Sequence, residues 1–176
     1  MSHDAGGLVR LPWPSGSVVE AIYGGFDERF RYCLQEIWDP TLPLILWIMM
    51  NPSVADEKFA DPTLIKTGKF SKRWGFGGQI IGNVYAYRAT DQRKLLTCPD
   101  PIGPDNDKWL AQMAGNAASI ILAYGSPAPS LRPRGTAVAR SLARTRKVQV
   151  LRLSKDGRPW HPLYIPLDEE PKVWRP

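Results

Sequence analysis

The hydrophobic pattern of the chain alternates between short, continuous apolar runs and longer amphipathic segments. The run LILWIMM, residues 44–50, carries no polar alternation, which is typical of a strand covered on both faces. Three further runs predict strands of the same buried type. They are QIIGNVYAY at 79–87, SIILAYG at 119–125 and VQVLRL at 148–153.

The segments between these runs predict helices. Pro62 is typical of a first helical position, so PTLIKTGKFSKRW predicts a helix ending near Trp74. A second helix is predicted from about residue 104 to 118, and a basic amphipathic third helix over 132–147. Upstream, the GGFD turn between two β-rich runs predicts a hairpin within residues 18–38.

This order of elements predicts an α/β fold. Alternating strands and helices favour a single three-layer domain with a central, mostly parallel four-stranded sheet flanked by helices. The predicted hairpin precedes that sheet at its N-terminal side. Residues 1–16 are rich in Gly, Pro and Ser, so we expect a flexible N-terminal arm, with residues 17–176 as one domain.

Each predicted strand leads directly into distinctive polar residues. Asn51-Pro52-Ser53 follows the first, Asn83 lies in the second, Gly125-Ser126 ends the third, and Trp160-His161 follows the fourth. In a parallel sheet these positions share the carboxyl edge, where ligands usually bind. Asn51 can equally serve as a turn cap, and His161 as a surface loop residue.

Composition and charge restrict the possible partners. The chain has 176 residues, 43% of them hydrophobic, a net charge of +6 and a pI of about 9.5. A basic protein favours polyanionic partners such as nucleic acid, although plain solubility explains the charge equally well. Arg88, Arg132 and Arg134 are candidate phosphate contacts, and a solvated surface is the alternative for each.

The same composition argues against a membrane protein or a metalloprotein. No apolar run is long enough to cross a bilayer. Cys33 and Cys98 lie far apart without metal-ligand spacing, so we expect free thiols in a cytoplasmic protein. We expect no metal and no cofactor.

Several motifs resemble those of known families. MNPSVAD, DPT, RWGFGGQIIGNVYAYRATD, DPIGPDND and WHPLYIP, over about residues 30–166, resemble the bacterial and phage family called domain of unknown function 1643. A more distant resemblance is to the uracil-DNA glycosylase superfamily. There IMMNPS, IIGN, ILAYGSPA and WHPLYIP are similar to the motifs that end the successive strands.

The distant resemblance implies a uracil-DNA glycosylase-like fold and a DNA glycosylase that excises or recognises an altered base. Asn51 would then position water or polarise the sugar, Asn83 would read the base edge, and His161 would stabilise the departing base. Met49 replaces the glycine of that family's first motif, and Leu163-Tyr164 replaces its Ser-Pro. The implied partner is DNA, and we expect a monomer.

The remaining candidate residues surround these three. Tyr85, Trp74 and Phe76 are candidates for base binding. The alternative is that they pack in the hydrophobic core. Ser53 and Ser126 join the arginines as phosphate contacts. Further pocket candidates are Pro52, Asp56, Asp61, Gly125 and Trp160.

Two other functions remain open from the sequence. A non-catalytic module that binds a nucleotide or nucleic acid would use the same crevice. A Mg²⁺-dependent phosphohydrolase would use Asp56, Asp61, Asp105 and Asp107 as oxygen ligands. Asp61-Pro62 and GPDND also serve as helix-start signals, which weakens the metal interpretation.

Overall fold

The structure is a computed structural model, and it describes residues 9–176. The strands are β1 (Leu11–Pro12), β2 (Val18–Gly24), β3 (Phe30–Ile37), β4 (Leu44–Met49), β5 (Phe59–Ala60), β6 (Gly78–Asn83), β7 (Ser119–Leu122), β8 (Val148–Val150) and β9 (Lys172–Trp174). The helices are α1 (Pro62–Arg73), α2 (Arg93–Thr97), α3 (Asn106–Asn116) and α4 (Arg132–Ala143). Over residues 9–176, no helix has the length and apolar character needed to cross a membrane.

The main sheet has seven strands in the order β2-β3-β6-β4-β7-β8-β9. The ladders β6–β4, β4–β7 and β7–β8 are parallel, whereas β2–β3, β3–β6 and β8–β9 are antiparallel. The prediction of a mostly parallel four-stranded sheet of the uracil-DNA glycosylase kind is therefore wrong. The sheet is mixed, and a separate two-stranded sheet joins β1 to β5.

The physical reason for this error lies at the two edges of the sheet. The predicted hairpin does not precede the sheet, because its second strand, β3, pairs directly with β6 and extends it. At the other edge, three residues near the C-terminus form β9 against β8. Neither pairing is encoded by a continuous apolar run, so hydrophobic patterning alone did not predict it.

Strand β4 is buried on both faces and separates two layers of helices. Ile45 and Trp47 pack in the apolar cluster that contains Leu64 and Phe70 of α1. Alternate β4 residues pack in a second cluster, with side chains from α3 and α4. This alternation follows from the period of two in a strand, which sends successive side chains to opposite faces.

Helix α1 begins and ends for identifiable reasons. The Asp61 side chain accepts a hydrogen bond from the Leu64 backbone N–H at 2.9 Å, and Pro62 occupies the first turn. The helix ends at Arg73, close to the predicted end. Its buried face carries Phe70, whose ring centroid lies 6.0 Å from that of Trp47 and 5.2 Å from that of Trp74.

A buried polar network joins α1 to the sheet. Gln79 in β6 donates through Nε2 to Glu36 at 2.7 Å, and its Oε1 accepts from the Thr67 hydroxyl at 2.7 Å. Ser17 donates to the other Glu36 oxygen at 2.6 Å. Each of these contacts replaces a hydrogen bond to water and so offsets part of the cost of burying Glu36 and Gln79.

Other element boundaries differ from the predicted ones. Strand β6 ends at Asn83, before the predicted end at Tyr87, and the backbone N–H groups of Ala86 and Tyr87 bond Ile102 and Pro101 and not a strand of the sheet. The polar segment 88–105 contains the short helix α2, which the sequence pattern did not predict. Residues 1–8 lie outside the described part of the chain, and with them half of the predicted N-terminal arm.

We expect Phe70→Ala to lower the free energy of unfolding by about 3–5 kcal/mol, because Phe70 is fully buried and its removal leaves a cavity. Urea denaturation followed by circular dichroism measures this. Lys69→Ala, at an exposed position of the same helix, is the matched control and should change stability by less than about 0.5 kcal/mol. Equal losses in the two variants would show that α1 does not stabilise the fold through this face.

Candidate functional site

A cavity of about 940 Å³ opens at the carboxyl ends of β4, β6 and β7. Its position follows from the parallel orientation of these three strands, whose ends meet at one edge of the sheet. Many of the residues singled out from the sequence line this cavity. They are Asn51, Ser53, Asp61, Asn83, Gly125, Ser126, Trp160 and His161.

The aromatic candidates lie elsewhere. Trp74 stacks on Trp47, with ring centroids 5.7 Å apart, and packs with Phe76 against the core on the α1 side. The Tyr85 hydroxyl donates to the Leu131 carbonyl at 3.1 Å, and the ring is buried on the other side of the sheet. Their predicted role in base binding has no support from these positions.

The three arginine candidates make contacts within the protein. Arg88 donates to the Glu28 carbonyl at 3.2 Å and lies over the Tyr23 ring. Arg132 donates to the Pro127 carbonyl at 3.1 Å. Arg134 donates to the Val84 carbonyl and forms an ion pair with Asp107. None of the three lines the cavity.

Two further pocket candidates shape the loop beside the cavity and do not line it. Asp56 accepts hydrogen bonds from the backbone N–H groups of Lys58 and Phe59, at 2.8 and 2.9 Å, which is the geometry of a turn. The Pro52 carbonyl accepts from the Ala89 N–H at 2.9 Å. Both residues therefore fix the backbone around Asn51.

The side chain of Asn51 is oriented by backbone carbonyls. Its Nδ2 donates to the Ala89 carbonyl at 2.6 Å and to the Pro52 carbonyl at 3.0 Å. An amide nitrogen carries two hydrogens, so both donors are used. The chemical capacity that Asn51 retains toward the cavity is the acceptor function of its side-chain oxygen.

Asn83 has an unpaired donor. The residue is only 1% exposed, it lines the cavity, and its Nδ2 atom has no hydrogen-bond partner. Its backbone carbonyl accepts from the Asn106 side chain at 3.0 Å, which holds the end of β6 in place. A buried, unpaired amide costs roughly 1–3 kcal/mol, so a ligand that accepts from Nδ2 would recover that free energy.

His161 lines the cavity as a neutral imidazole. Burial lowers its pKa from 6.5 to about 4. Its Nδ1 accepts from the Leu163 backbone N–H at 3.3 Å, so the proton of the neutral ring sits on Nε2. Gly125 lies alongside with φ at +71°, a conformation that favours glycine, and a Cβ there would lie 3.5 Å from the His161 Cβ.

Three aromatic residues line the cavity in addition to His161. Trp160 and Tyr164 are 40% and 48% exposed, whereas Tyr124 is buried. Burial raises the pKa of Tyr124 to about 12, so its phenol keeps its proton at neutral pH. Of these three, only Trp160 was a candidate site residue from the sequence. The signals for the other two were the position of Tyr124 directly before Gly125 and that of Tyr164 three residues after His161.

Arg31 is the main residue that sequence reasoning missed. It lines the cavity, is 2% exposed, and donates through Nη1 to the Ala55 carbonyl. Its Nε has no hydrogen-bond partner. The signal in the sequence was a charged residue within the apolar stretch FRYCL. The loop residues 89–93 also line the cavity, where Asp91 and Arg93 form an exposed ion pair.

The aspartates of the Mg²⁺ interpretation do not form a metal site. Within residues 9–176, no group of three or more His, Cys, Asp or Glu side chains is placed to hold a metal ion. Asp107 pairs with Arg134, and Asp61 caps α1. Cys33 and Cys98 are both free thiols, as predicted.

Comparison with known proteins identifies the family of this chain. The model of a family described as a protein of unknown function, DUF1643, matches residues 31–163, so the chain belongs to that family. The matched range includes Arg31, Asn51, Asn83 and His161. No curated protein and no solved structure matches the chain, and the resemblance to the uracil-DNA glycosylase superfamily has no support from these comparisons.

We expect His161 to titrate near pH 4 in the folded protein, because burial disfavours its charged form. NMR of a His3→Gln variant, in which His161 is the only histidine, measures the midpoint. The unfolded chain takes up this proton near pH 6.5, so stability is fully present above that pH and falls as the pH drops from about 6.5 toward 4. A midpoint near 6.5 would contradict burial of the ring.

Proposed function

We propose that this protein binds a base of DNA in the cavity and hydrolyses its N-glycosidic bond. The observation that carries the proposal is the buried Nδ2 atom of Asn83, which lines the cavity without a hydrogen-bond partner. A base edge carries carbonyl oxygens and ring nitrogens that accept such a hydrogen bond. Binding would remove the cost of leaving this donor unpaired.

The shape of the cavity supports a base as its ligand. Its volume of about 940 Å³ lies within the range of small-molecule sites, and it accommodates a base together with its sugar. A base must leave the helical stack to reach such a depth. Trp160 is partly exposed on the cavity lining, where its ring can stack on a base.

The neutral His161 supports stabilisation of the leaving base. When the glycosidic bond breaks, its electron pair goes to the base, and the sugar gains positive character. The Nε2–H of His161 and the Nδ2–H of Asn83 are both donors, and donors aimed at a developing anion lower the barrier. With its pKa lowered to about 4, His161 acts at neutral pH as a hydrogen-bond donor and not as an acid.

The hydrogen bonds of Asn51 support a role for this residue in positioning the attacking water. Because its two amide hydrogens go to backbone carbonyls, its Oδ1 remains to accept a hydrogen bond from water. The water oxygen bonds to the sugar carbon from which the base leaves, one water proton is released, and the departing base anion takes up a proton. An amide is a poor base, so we expect slow turnover.

A second candidate function is binding without cleavage. The side-chain amide of Asn51 favours this function, since it can orient a water molecule but is too weak a base to remove its proton. A binding module would use the Asn83 donor and the aromatic residues equally well. The two functions differ in their product, because only the enzyme leaves an abasic site in the DNA.

We expect duplex oligonucleotides that each carry one altered base to reveal the substrate, as alkali-labile abasic sites formed in the presence of a chelator. Asn51→Ala and His161→Ala should each lower the rate about 10²–10³-fold if they act on the transition state. Asn116→Ala, at an exposed position at the end of α3, is the matched control and should retain full activity.

Thermal melting of the same variants separates catalytic loss from unfolding. Binding of an altered base without any abasic product would favour the non-catalytic module. Folded Asn51 and His161 variants with full activity would remove both residues from the mechanism.

We expect Asn83→Asp to change the preference among bases. The substitution keeps the shape of the side chain and replaces the unpaired donor with an acceptor. The excision rate on bases that present a carbonyl oxygen should therefore fall. The rate on bases that present an exocyclic amine should fall much less, because a carboxylate accepts from that group. The ratio of rates on uracil-like and amino-bearing bases measures this, with Asn116→Asp as the control. An unchanged ratio in an active variant would show that Asn83 only holds the strand end.

A further inference from the structure

Two buried N–H donors without partners belong to residues that line the cavity. Asn83 Nδ2 and Arg31 Nε have no hydrogen-bond partner, and the two residues are 1% and 2% exposed. They belong to the neighbouring strands β6 and β3, and both line the cavity. Buried polar groups are nearly always paired, so two orphaned donors together point to a ligand with at least two acceptor atoms.

The second donor also carries a positive charge. Burial lowers the pKa of Arg31, and the nearby charge of Arg88 acts in the same direction, whereas Asp61 favours the charged form. A buried charge that is not fully compensated is costly, and an anionic ligand would reduce this cost.

The N-terminal end of α1 also lines the cavity. Asp61, Thr63 and Leu64 line the cavity there, and the helix macrodipole places partial positive charge at this end. The Oδ1 of Asp61 is directed at the Leu64 N–H at 2.9 Å. The other lining charges, Asp91 and Arg93, neutralise each other in an ion pair with an N–O distance of 2.7 Å.

We propose that Arg31, in addition to the base-reading Asn83, forms a subsite for an anionic oxygen group of the ligand, either a phosphate of the nucleotide or a carboxylate substituent on the base. The assignment of the ligand as a nucleotide or nucleoside rests on the proposed function. Arg31 Nε donates to one oxygen of the anionic group, while Asn83 Nδ2 donates to the base edge. The Nη1 bond to the Ala55 carbonyl holds the guanidinium in place for this contact.

The first test uses the unaltered protein and isothermal titration calorimetry. The probes are deoxyuridine, its 5′-monophosphate, 5-carboxydeoxyuridine and inorganic phosphate. The 5′-monophosphate or 5-carboxydeoxyuridine should bind roughly tenfold to hundredfold more tightly than deoxyuridine, as expected for a charge-assisted hydrogen bond. Whichever of the two binds more tightly identifies the source of the anion. Equal affinity for deoxyuridine and these two anionic probes, or no binding of any of them, overturns the subsite.

The second test assigns the effect to Arg31. Arg31→Gln should reduce affinity for the anionic probe to that for deoxyuridine and leave deoxyuridine binding unchanged, whereas Arg31→Lys should retain part of the preference. Arg29→Gln, in the exposed turn before β3, is the matched control and should change neither affinity. An undiminished preference for the anion in a folded Arg31→Gln variant contradicts the assignment. If the Arg31 variants do not fold, the affinities of the probes for the unaltered protein decide whether the subsite exists.

These results are separable from the proposed function. A preference for the anionic probe without any abasic product supports the subsite and contradicts base excision. Base excision by a protein that binds all three nucleosides equally supports the enzyme and contradicts the subsite.

Discussion

The burial of β4 on both of its faces is the constraint on which the rest of the structure depends. Its central residues have no contact with water, because α1 covers one face and α3 and α4 cover the other. A strand in such a position accommodates a polar side chain only near its ends and only where a partner satisfies it, as for Gln79 near the start of β6. At the carboxyl ends of β4, β6 and β7, the polar residues Asn51, Asn83 and Ser126 surround one cavity.

This constraint is also why part of the site could be predicted from the sequence. Continuous apolar runs are visible in the chain, and the residues that follow them are determined by counting. Asn51, Asn83, Gly125 and His161 were selected in this way, and all four line the cavity. The direction of the outer strands could not be predicted from apolar runs. Strand β3 mixes apolar and charged residues, and its partner β6 is distant in the chain.

Side-chain surroundings were the other part that the sequence did not provide. Trp74 and Phe76 lie within a family motif in the chain, but their packing beside α1 places them against the core. Arg134 counts as a free charge in the sequence, whereas tertiary structure pairs it with Asp107. Arg31 shows the reverse case, since it lies in a predicted hairpin and was not a candidate for the site. Tertiary structure buries it against the cavity, where it donates to the Ala55 carbonyl.

The double use of the Asn51 amide limits how the chemistry of this position can change. Under the proposed function, an aspartate here would supply a base for the attacking water, yet its oxygen would face the Ala89 and Pro52 carbonyls to which Asn51 now donates. The Ala89 N–H also bonds the Pro52 carbonyl, so the two loops are joined at this point. A faster catalyst of the proposed reaction therefore requires a carboxylate at position 51 together with a new donor for the Ala89 carbonyl. The carboxylate alone is unfavourable, so its effect depends on the second substitution.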